Sequence, residues 1–250
     1  MRLLDYYDGQ NPEFGLSDLA RLSGIDKATV LRMLGDMAAT GLVDQDPESR
    51  KWRLGAGILR LARLREAAFP VTRVLTPILE RLAAETGETA HASLLSGRHL
   101  GTVGIVESTR SNRVSLEPGQ MLPLHATASG LAYGAFARPE LRAQLLAAPL
   151  PAATATTPTD PHRLADLLDQ AARRGYAVAD QTYEDEVFGI AMPIFGPDGF
   201  ATGALAVATP ISRMTDTHTA AILAALAPAA REATLGLGGR FPPTQRPAAD

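Results

Sequence analysis

The chain has 250 residues, no cysteine and a formal net charge of −3 at pH 7. This length accommodates one large or two ordinary domains, and the lack of cysteine excludes disulfides, thiolate metal sites and cysteine nucleophiles. No stretch approaches the ~20 apolar residues of a membrane helix, and the N-terminus shows no signal peptide. We therefore expect a cytoplasmic protein that does not contact membranes.

The segment from Gly15 to Leu54 has the pattern of two short helices followed by a two-stranded wing. Ser17 has the side chain of a helix N-cap, for a first helix starting near residue 18. Gly24 supplies the backbone freedom for a sharp reversal, and Asp26 caps a second helix, Lys27 to Ala39. Residues 2–7 resemble the end of a further helix that would precede the pair.

The second helix has two different faces. An apolar face is predicted from residues at helical spacing: Val30, Leu31, Leu34, Met37 and Ala38. The opposite face is small and polar, with the following members: Lys27, Ala28, Thr29, Arg32 and Asp36. A helix that enters the major groove and touches base edges needs such a face.

Residues 42–45 and 50–54 read as the two strands of the wing, joined by a turn over 46–49. Alternation places Arg50 and Trp52 on one face and Lys51 and Arg53 on the other, so cations flank the hairpin and can lie along phosphates. The alternative is a generic helical hairpin with a solvated turn. The sequence predicts DNA contacts from eight residues: Ser17, Lys27, Ala28, Thr29, Arg32, Arg50, Lys51 and Arg53.

Charge is distributed unevenly, with eight basic and four acidic side chains between Lys27 and Arg65. This modest local excess predicts DNA binding that depends on dimerisation. Gly55 to Gly57 reads as a flexible break. A helix from Ile58 to Glu66 follows, with an apolar stripe opposite its arginines, which is typical of a linker or of a partner-binding helix.

The remainder predicts an α/β domain with a mostly antiparallel sheet, because hairpin turns join its strands. Helices are expected over residues 71–86, 129–137, 139–147, 161–174 and about 216–233. Strands are expected over residues 89–95, 100–107, 112–116, 176–181, 190–195 and 200–208. We expect the domains to span 1–55, 56–69 (linker) and 70–235, with a disordered tail over 236–250.

The histidines do not form a metal-binding pattern, and we expect no metal and no cofactor. His91 is expected to flank a hairpin, His162 and His218 to lie on exposed helix starts, and His125 to be buried. Ser129 lacks the GxSxG frame of a nucleophile elbow. The acidic run 184–186 reads as a solvated loop, so a catalytic role for the second domain is the less favoured alternative.

The stretch from Leu124 to Gly130 delivers small residues into a helix N-terminus, where free N–H groups can receive an anion or a carbonyl oxygen. Gly189, Ala206 and Ala208 are small residues on strands that could face the same cavity. Tight helix–sheet packing selects the same residue types, and these residues do not decide between a cavity and close packing.

From about Leu3 to Arg231 the sequence resembles the IclR family of bacterial transcription regulators. The segments that carry the resemblance are LSDLARLSGIDKATVLRML, GLVDQDPESRKWRLG, TGETAHASLL, LPLHATASG, RRGYAVADQTYEDEVFGIAMPIF and GALAVATPISR. The resemblance implies an α+β chain: a winged helix-turn-helix, a linker helix and a GAF/PAS-like effector-binding domain. It also implies a homodimer, or a dimer of dimers, on a palindromic double-stranded operator.

The resemblance places a small-molecule effector against nine matched positions: Leu124, Ala128, Ser129, Gly130, Asp180 (or Ala179), Phe188, Gly189, Ala206 and Ala208. Polar family residues are replaced here by Phe188-Gly189, by Leu131 after Gly130, and by Ala206 and Ala208. A small carboxylate would then lack partners for its charge. We expect an apolar or aromatic effector held at Ser129 and the helix N-terminus.

Three functions are compatible with these observations. The favoured one is a ligand-responsive DNA-binding regulator. The alternatives are a DNA-binding module fused to a small-molecule enzyme, and a winged helix that pairs with protein instead of DNA.

Overall fold

The computed structural model describes residues 2–7, 11–68 and 71–242. The chain forms two compact units, Met1–Pro70 and Val71–Asp250. Within the described residues, no helix combines the length and the apolar character that crossing a membrane requires.

The first unit contains a short 3₁₀ helix (Arg2–Tyr6), three α-helices and a small antiparallel sheet. The helices are α1 (Leu16–Ser23), α2 (Lys27–Ala39) and α3 (Ala56–Ala68), and the strands are β1 (Glu13–Phe14), β2 (Val43–Gln45) and β3 (Trp52–Leu54), in the sheet order β1-β3-β2. Its core is formed by Leu3, Leu19, Val30, Leu34, Val43 and Trp52. Strand β1 was not expected, since two residues carry too short a pattern to be recognised.

Local capping signals explain α2 but not α1. The Asp26 side chain accepts a hydrogen bond from the Thr29 N–H at 2.9 Å, as expected of an N-cap, and Gly24 has a φ of 68° in the turn. The prediction for Ser17 is wrong: α1 begins at Leu16, its N-cap is Gly15, and no side chain caps it. The Gly15 carbonyl instead accepts from Asp18 and Leu19, each at 3.1 Å.

The expected flexible break at Gly55–Gly57 is also wrong, because these glycines are packing positions. The Gly55 N–H donates to the Leu42 carbonyl at 2.9 Å, and the Gly57 N–H donates to the Gly41 carbonyl at 2.8 Å. A Cβ on Gly55 would lie 2.3 Å from the Gly41 oxygen, and one on Gly57 would lie 2.6 Å from it. The glycines therefore let α3 begin in direct contact with the chain that leaves α2.

The second unit is a six-stranded antiparallel sheet with helices on both faces. The helices are α4 (Val71–Thr86), α5 (Ala128–Ala135), α6 (Pro139–Leu146), α7 (Pro161–Arg174) and α8 (Asp216–Gly236). The strands are β4 (Thr89–Ser96), β5 (His99–Val106), β6 (Met121–Leu122), β7 (Ala177–Asp180), β8 (Val187–Phe195) and β9 (Ala201–Pro210), in the order β6-β5-β4-β9-β8-β7. The predicted fold class, a winged helix-turn-helix joined to an α/β domain with an antiparallel sheet, is confirmed.

The two faces of this sheet differ in side-chain size. One face packs larger aliphatic residues such as Ile190, Leu205 and Val207 against α4 and α8. The other presents alanines to α5 and α7, among them Ala191 and Ala206. Short side chains leave room on this second face, and the cavity described below lies there.

Two predictions about the second unit need correction. Residues 112–116 do not form a strand: the Thr89 hydroxyl donates to the Val114 carbonyl at 2.6 Å, and Met121–Leu122 occupies the edge beside β5 instead. The expected disordered tail does not begin at residue 236, since the Arg240 N–H donates to the Gly196 carbonyl at 3.1 Å and Phe241 packs on Phe195. Residues 243–250 of that tail lie outside the described residues.

A buried carboxylate joins three segments of the second unit. Glu88, which is fully buried, accepts from Arg213 Nε at 2.7 Å and from a second nitrogen of the same guanidinium. His218 Nε2 lies 3.2 Å and Arg110 Nη1 3.8 Å from the same oxygen, Oε1. This Glu88 cluster connects the start of β4, the segment after β5 and the start of α8. His218 is thus partly buried, contrary to expectation.

Candidate DNA-binding surface and ligand cavity

The outer face of α2 is open to solvent. Lys27, Ala28 and Arg32 are exposed, and Thr29 is half-buried at the edge of this face. Leu31 departs from its prediction: it is 49% exposed, whereas Val30 and Leu34 are fully buried. Leu31 therefore belongs to the outer face, and this face combines two cations, small residues and one leucine.

Two cations of the wing are partly neutralised. Lys51 Nζ lies 2.7 Å from a carboxylate oxygen of Glu13, and this hydrogen bond raises the pKa of the lysine. Arg53 lies 3.8 Å from Asp46. Arg50 is exposed and has a φ of 59°, so it lies in the turn before β3 and not on the strand face predicted for it.

A cavity of about 60 Å³ open to water-sized molecules lies between the sheet and the N-terminus of α5. Its floor is formed by five residues on four strands: His91, Ala179, Gly189, Ala206 and Ala208. Its roof is formed by Thr127, Ala128 and Ser129. Since one buried water needs about 10–15 Å³ on this measure, the space fits several waters or a small organic molecule.

The first turn of α5 is positioned by its cap. The Thr127 side chain accepts from the Gly130 N–H at 3.0 Å, which satisfies one of the free donors of the helix. The N–H groups of Ala128 and Ser129 belong to the same turn and have no intrahelical acceptor. A Cβ on Gly130 would lie 2.4 Å from Leu124, so this glycine allows the strand-to-helix connection to close.

His91 and Ser129 form a polar pair inside the cavity. The Ser129 hydroxyl lies 3.2 Å from His91 Nε2, and both residues are buried. Burial lowers the pKa of His91 to about 4, so the ring is neutral at physiological pH. Its Nδ1 has no hydrogen-bond partner among the residues that the structure describes. The pair can therefore offer a bound molecule an unused polar group without a charge.

The pKa of His91 predicts a pH-dependent stability. Between pH 6.5 and about 4 the unfolded chain protonates this ring while the folded chain keeps it neutral. The free energy of unfolding should thus fall as the pH falls through this window, by up to about 3 kcal/mol. Urea unfolding of His91→Gln between about pH 7 and about pH 4.5 should show a weaker pH dependence than wild type.

The matched control is His162→Gln, because His162 is exposed. It should keep the pH dependence of wild type. Equal slopes in wild type and His91→Gln would contradict the assignment of this acid-sensitive step to His91.

The cavity brings together five of the nine residues predicted for the effector. Ala128, Ser129, Gly189, Ala206 and Ala208 line it, and Ala179 lines it instead of Asp180. Four predicted residues lie elsewhere. Leu124 and Gly130 pack against each other, Phe188 packs on the opposite face of the sheet with α4 and α8, and Asp180 lines a separate groove. A role of any of these residues in binding stays a prediction.

Sequence reasoning missed His91 and the loop Thr182–Glu184, which forms one wall of the cavity. His91 alternates with Thr89 and Ser93 on β4, and this period-2 pattern was the available signal that the ring faces away from Ala90 and Ala92. Glu184 is exposed, as expected of a solvated loop, but it also borders the cavity, and partial desolvation there raises its pKa.

A helix-turn-helix with a wing, followed by an α/β domain that encloses a cavity, defines a DNA-binding protein that responds to a small molecule. The chain belongs to the IclR family of bacterial transcriptional regulators. Residues 67–234 match the bacterial transcriptional regulator IclR C-terminal domain, and residues 1–47 match the IclR helix-turn-helix domain. It is accordingly a transcription regulator with a helix-turn-helix and an effector-binding domain.

Curated relatives agree with this assignment. The chain is 32% identical over 226 residues to the HTH-type transcriptional regulator BhcR of Paracoccus denitrificans, covering 90% of this chain and 81% of that protein. It is 30% identical over 242 residues to the transcriptional repressor IclR of Escherichia coli, covering 96% and 88%.

Solved structures agree as well. The crystal structure of an IclR transcriptional regulator from Silicibacter sp. TM1040 matches with a TM-score of 0.90 and 42% identity, over 96% of this chain and 95% of that one. An IclR homolog from Microbacterium hydrocarbonoxydans, crystallised with 4-hydroxybenzoate, matches with a TM-score of 0.70 and 27% identity, over 95% and 96%.

Proposed function

We propose that the cavity beside α5 binds a small, mostly apolar organic effector, and that this binding controls how the winged helix engages its operator. The observation that carries the proposal is the composition of the cavity. Apart from His91, the strand residues that line it are all apolar, being alanine, glycine, valine or leucine, and its buried polar pair is neutral. A ligand with one hydrogen-bonding group and an apolar body is complementary to such a site.

The charges around the cavity support a weakly polar ligand. Among the described residues that line it, none is lysine or arginine, and Glu184 is an acid at its wall. A small carboxylate would therefore lose hydration without gaining a cationic partner. In this proposal the aromatic contact to the ligand comes from Tyr183, which lines the cavity, and not from Phe188. The Microbacterium homolog was crystallised with 4-hydroxybenzoate, so an aromatic body has a precedent among similar proteins. The carboxylate of that ligand would find no cationic partner among the described lining residues here.

Gly189→Ala should weaken effector binding at least tenfold. Its methyl group would lie 3.1 Å from Ala128 Cβ, between the floor and the roof of the cavity. The measurement is calorimetric titration of the full chain with hydroxybenzoates, aromatic lactones, glyoxylate and pyruvate. Gly101→Ala is the matched control, because its new Cβ would meet no atom closer than 3.5 Å. Tight binding of glyoxylate or pyruvate, with no binding of the aromatic compounds, would refute the proposed ligand class.

For the DNA side, we propose that α2 reads bases through Lys27, Ala28, Thr29 and Arg32, and that the wing contacts phosphates. Among the wing cations, Arg50 is the most available, since Lys51 and Arg53 have carboxylate partners. We also propose a phosphate contact for Ser17, which is exposed in the first turn of α1.

Arg32→Ala should reduce the preference for operator over random DNA by about ten- to a hundredfold, because a base contact discriminates sequence. Arg50→Ala should weaken binding to both DNAs alike and reduce the salt slope by about one. Gel shifts at several salt concentrations measure both. Equal losses of Arg32→Ala on operator and random DNA would refute its role as a base reader.

Assembly and location complete the proposal. A homodimer, or a dimer of dimers, would bind a palindromic operator in the cytoplasm, with residues 1–55 on DNA, 56–69 as linker and 70–235 as effector domain. The exposed leucines Leu59, Leu61 and Leu64 of α3 support a partner on that helix. Analytical ultracentrifugation of the full chain with and without DNA tests this assembly.

The Ser129–His91 pair favours one alternative, an acyl-transfer enzyme, because a serine beside a histidine at a helix N-terminus is a nucleophile arrangement. Two features support binding over catalysis. Burial opposes the imidazolium that catalysis needs, and Nδ1 has no carboxylate to stabilise it among the described residues. NMR of a bound ester over hours distinguishes the two functions: turnover favours the enzyme, and an unchanged ligand favours the regulator.

A further inference from the structure

Leu31 lies on the outer face of α2, although an apolar residue in the middle of a helix usually faces the core. It is 49% exposed, while its neighbours Val30 and Leu34 are fully buried. The core of the first unit is thus complete without it, and the leucine does not contribute to the fold through burial in that core.

The surroundings of Leu31 allow a close approach by a partner. Ala28 precedes it by three residues and Gly35 follows it by four, so all three lie on one side of the helix. A Cβ added to Gly35 would meet no atom within 4 Å among the described residues. Lys27 and Arg32, both exposed, border this strip and supply positive charge. This strip of small and apolar residues, bordered by two cations, is complementary to a partner that carries negative charges on either side of an apolar group.

Double-stranded DNA has such a group in its major groove. Phosphates and most base edges are polar, and the C5 methyl of thymine is the apolar feature that a groove-bound helix meets. Leu31 is the fifth residue of α2, within the N-terminal half that contacts bases in helix-turn-helix proteins.

We propose that Leu31 is a specificity-determining residue that selects thymine through its methyl group. The inference rests on the proposed placement of α2 in the major groove, and it adds a contact of a different chemistry from that of Arg32. Arg32 reads hydrogen-bonding atoms, whereas Leu31 excludes water from a methyl group. The bases facing Leu31 would accordingly be thymine and not cytosine, which presents no methyl at that position.

The test replaces thymine by uracil, which removes only the methyl group. A binding site is first selected from a random duplex library with the full wild-type chain, and each thymine is then replaced in turn. For wild type, one position per half-site should lose about four-fold in affinity on replacement, the factor that corresponds to about 0.8 kcal/mol per buried methyl group. For Leu31→Ala the thymine and uracil duplexes should bind equally well.

Two controls define the outcome. Leu31→Met keeps an apolar side chain and should preserve the discrimination, and Leu235→Ala, a similarly exposed leucine in the second unit, should not alter it. If Leu31→Ala keeps the wild-type ratio of affinities for the thymine and uracil duplexes, the inference is overturned. If that variant also forms a smaller oligomer, Leu31 is instead a contact between copies of the chain. If Arg32→Ala also has no effect on sequence preference, the proposed groove placement of α2 fails and not the Leu31 contact alone.

Discussion

Glu88→Gln should lower the free energy of unfolding of the second unit by about 3 kcal/mol or more. The variant removes the negative charge from a site at which Arg213 donates two hydrogen bonds and Arg110 and His218 lie near. Breaking a buried ion pair costs about 3–5 kcal/mol, because it leaves a partly desolvated charge without compensation. Urea unfolding of the full chain, followed by far-UV circular dichroism, measures the change.

The same substitution should also weaken effector binding. Arg213 donates to the Asn112 carbonyl at 2.6 Å, so the Glu88 cluster holds the segment that brings Val114 and Leu116 to the cavity. Loss of the anchor lets this wall separate from the sheet.

Glu232→Gln is the matched control, since Glu232 pairs with Arg81 on the surface of the same unit and both side chains are about half exposed. Exposed pairs contribute about 0–1 kcal/mol. If Glu88→Gln and Glu232→Gln cost the same, the Glu88 cluster does not have the role in stability assigned to it.

Gly55→Ala should destabilise the first unit by about 2–3 kcal/mol. The new Cβ would lie 2.3 Å from the Gly41 carbonyl oxygen and 3.1 Å from the Val43 carbonyl carbon, so backbone must move to admit it. Insertion of atoms into a packed contact costs about 1–3 kcal/mol, and the hydrogen bond from the Gly55 N–H to Leu42 lengthens as well. Thermal unfolding of residues 1–250 resolves the change if the two units unfold in separate transitions.

Gly35→Ala is the control within the same unit. Gly35 lies inside α2 with open space around it, and alanine in a helix interior is favoured over glycine by about 1 kcal/mol. This variant should be neutral or stabilising. A stable Gly55→Ala protein with wild-type unfolding would show that α3 is free to pivot where the structure places a close contact.

Predictions succeeded where short-range signals determine the outcome. The bounds of α2, α4 and α7 follow from Asp26 at the first N-cap and from Gly87 and Gly175 after the helices, and the structure has them at Lys27–Ala39, Val71–Thr86 and Pro161–Arg174. Caps and left-handed glycines act within a few residues, so they are visible in the sequence without knowledge of the fold.

Predictions failed where distant segments decide. Helical periodicity assigned Leu31 to the core, because it borders the buried stripe, but the other core residues already fill that space. Phe188 was matched to a ligand-facing position, whereas Gly189 and not Phe188 faces α5 in the pleat of β8. A shift of one residue moves a strand side chain to the opposite face, and one sequence does not define that register.

The anchoring of α3 has a mechanical consequence. Its first turn is hydrogen-bonded to Gly41, and the Gly41 N–H in turn donates to Ala38 in the last turn of α2 at 2.9 Å. The 13 residues of α3 form a rod about 20 Å long, and this rod is held by hydrogen bonds at the end next to α2. A sideways push of about 5 Å at its far end would turn it by about 15° about the held end. Because hydrogen bonds connect the start of α3 to the end of α2, such a rotation of α3 would also tilt α2. A displacement of the far end of α3 would thus change the orientation of α2.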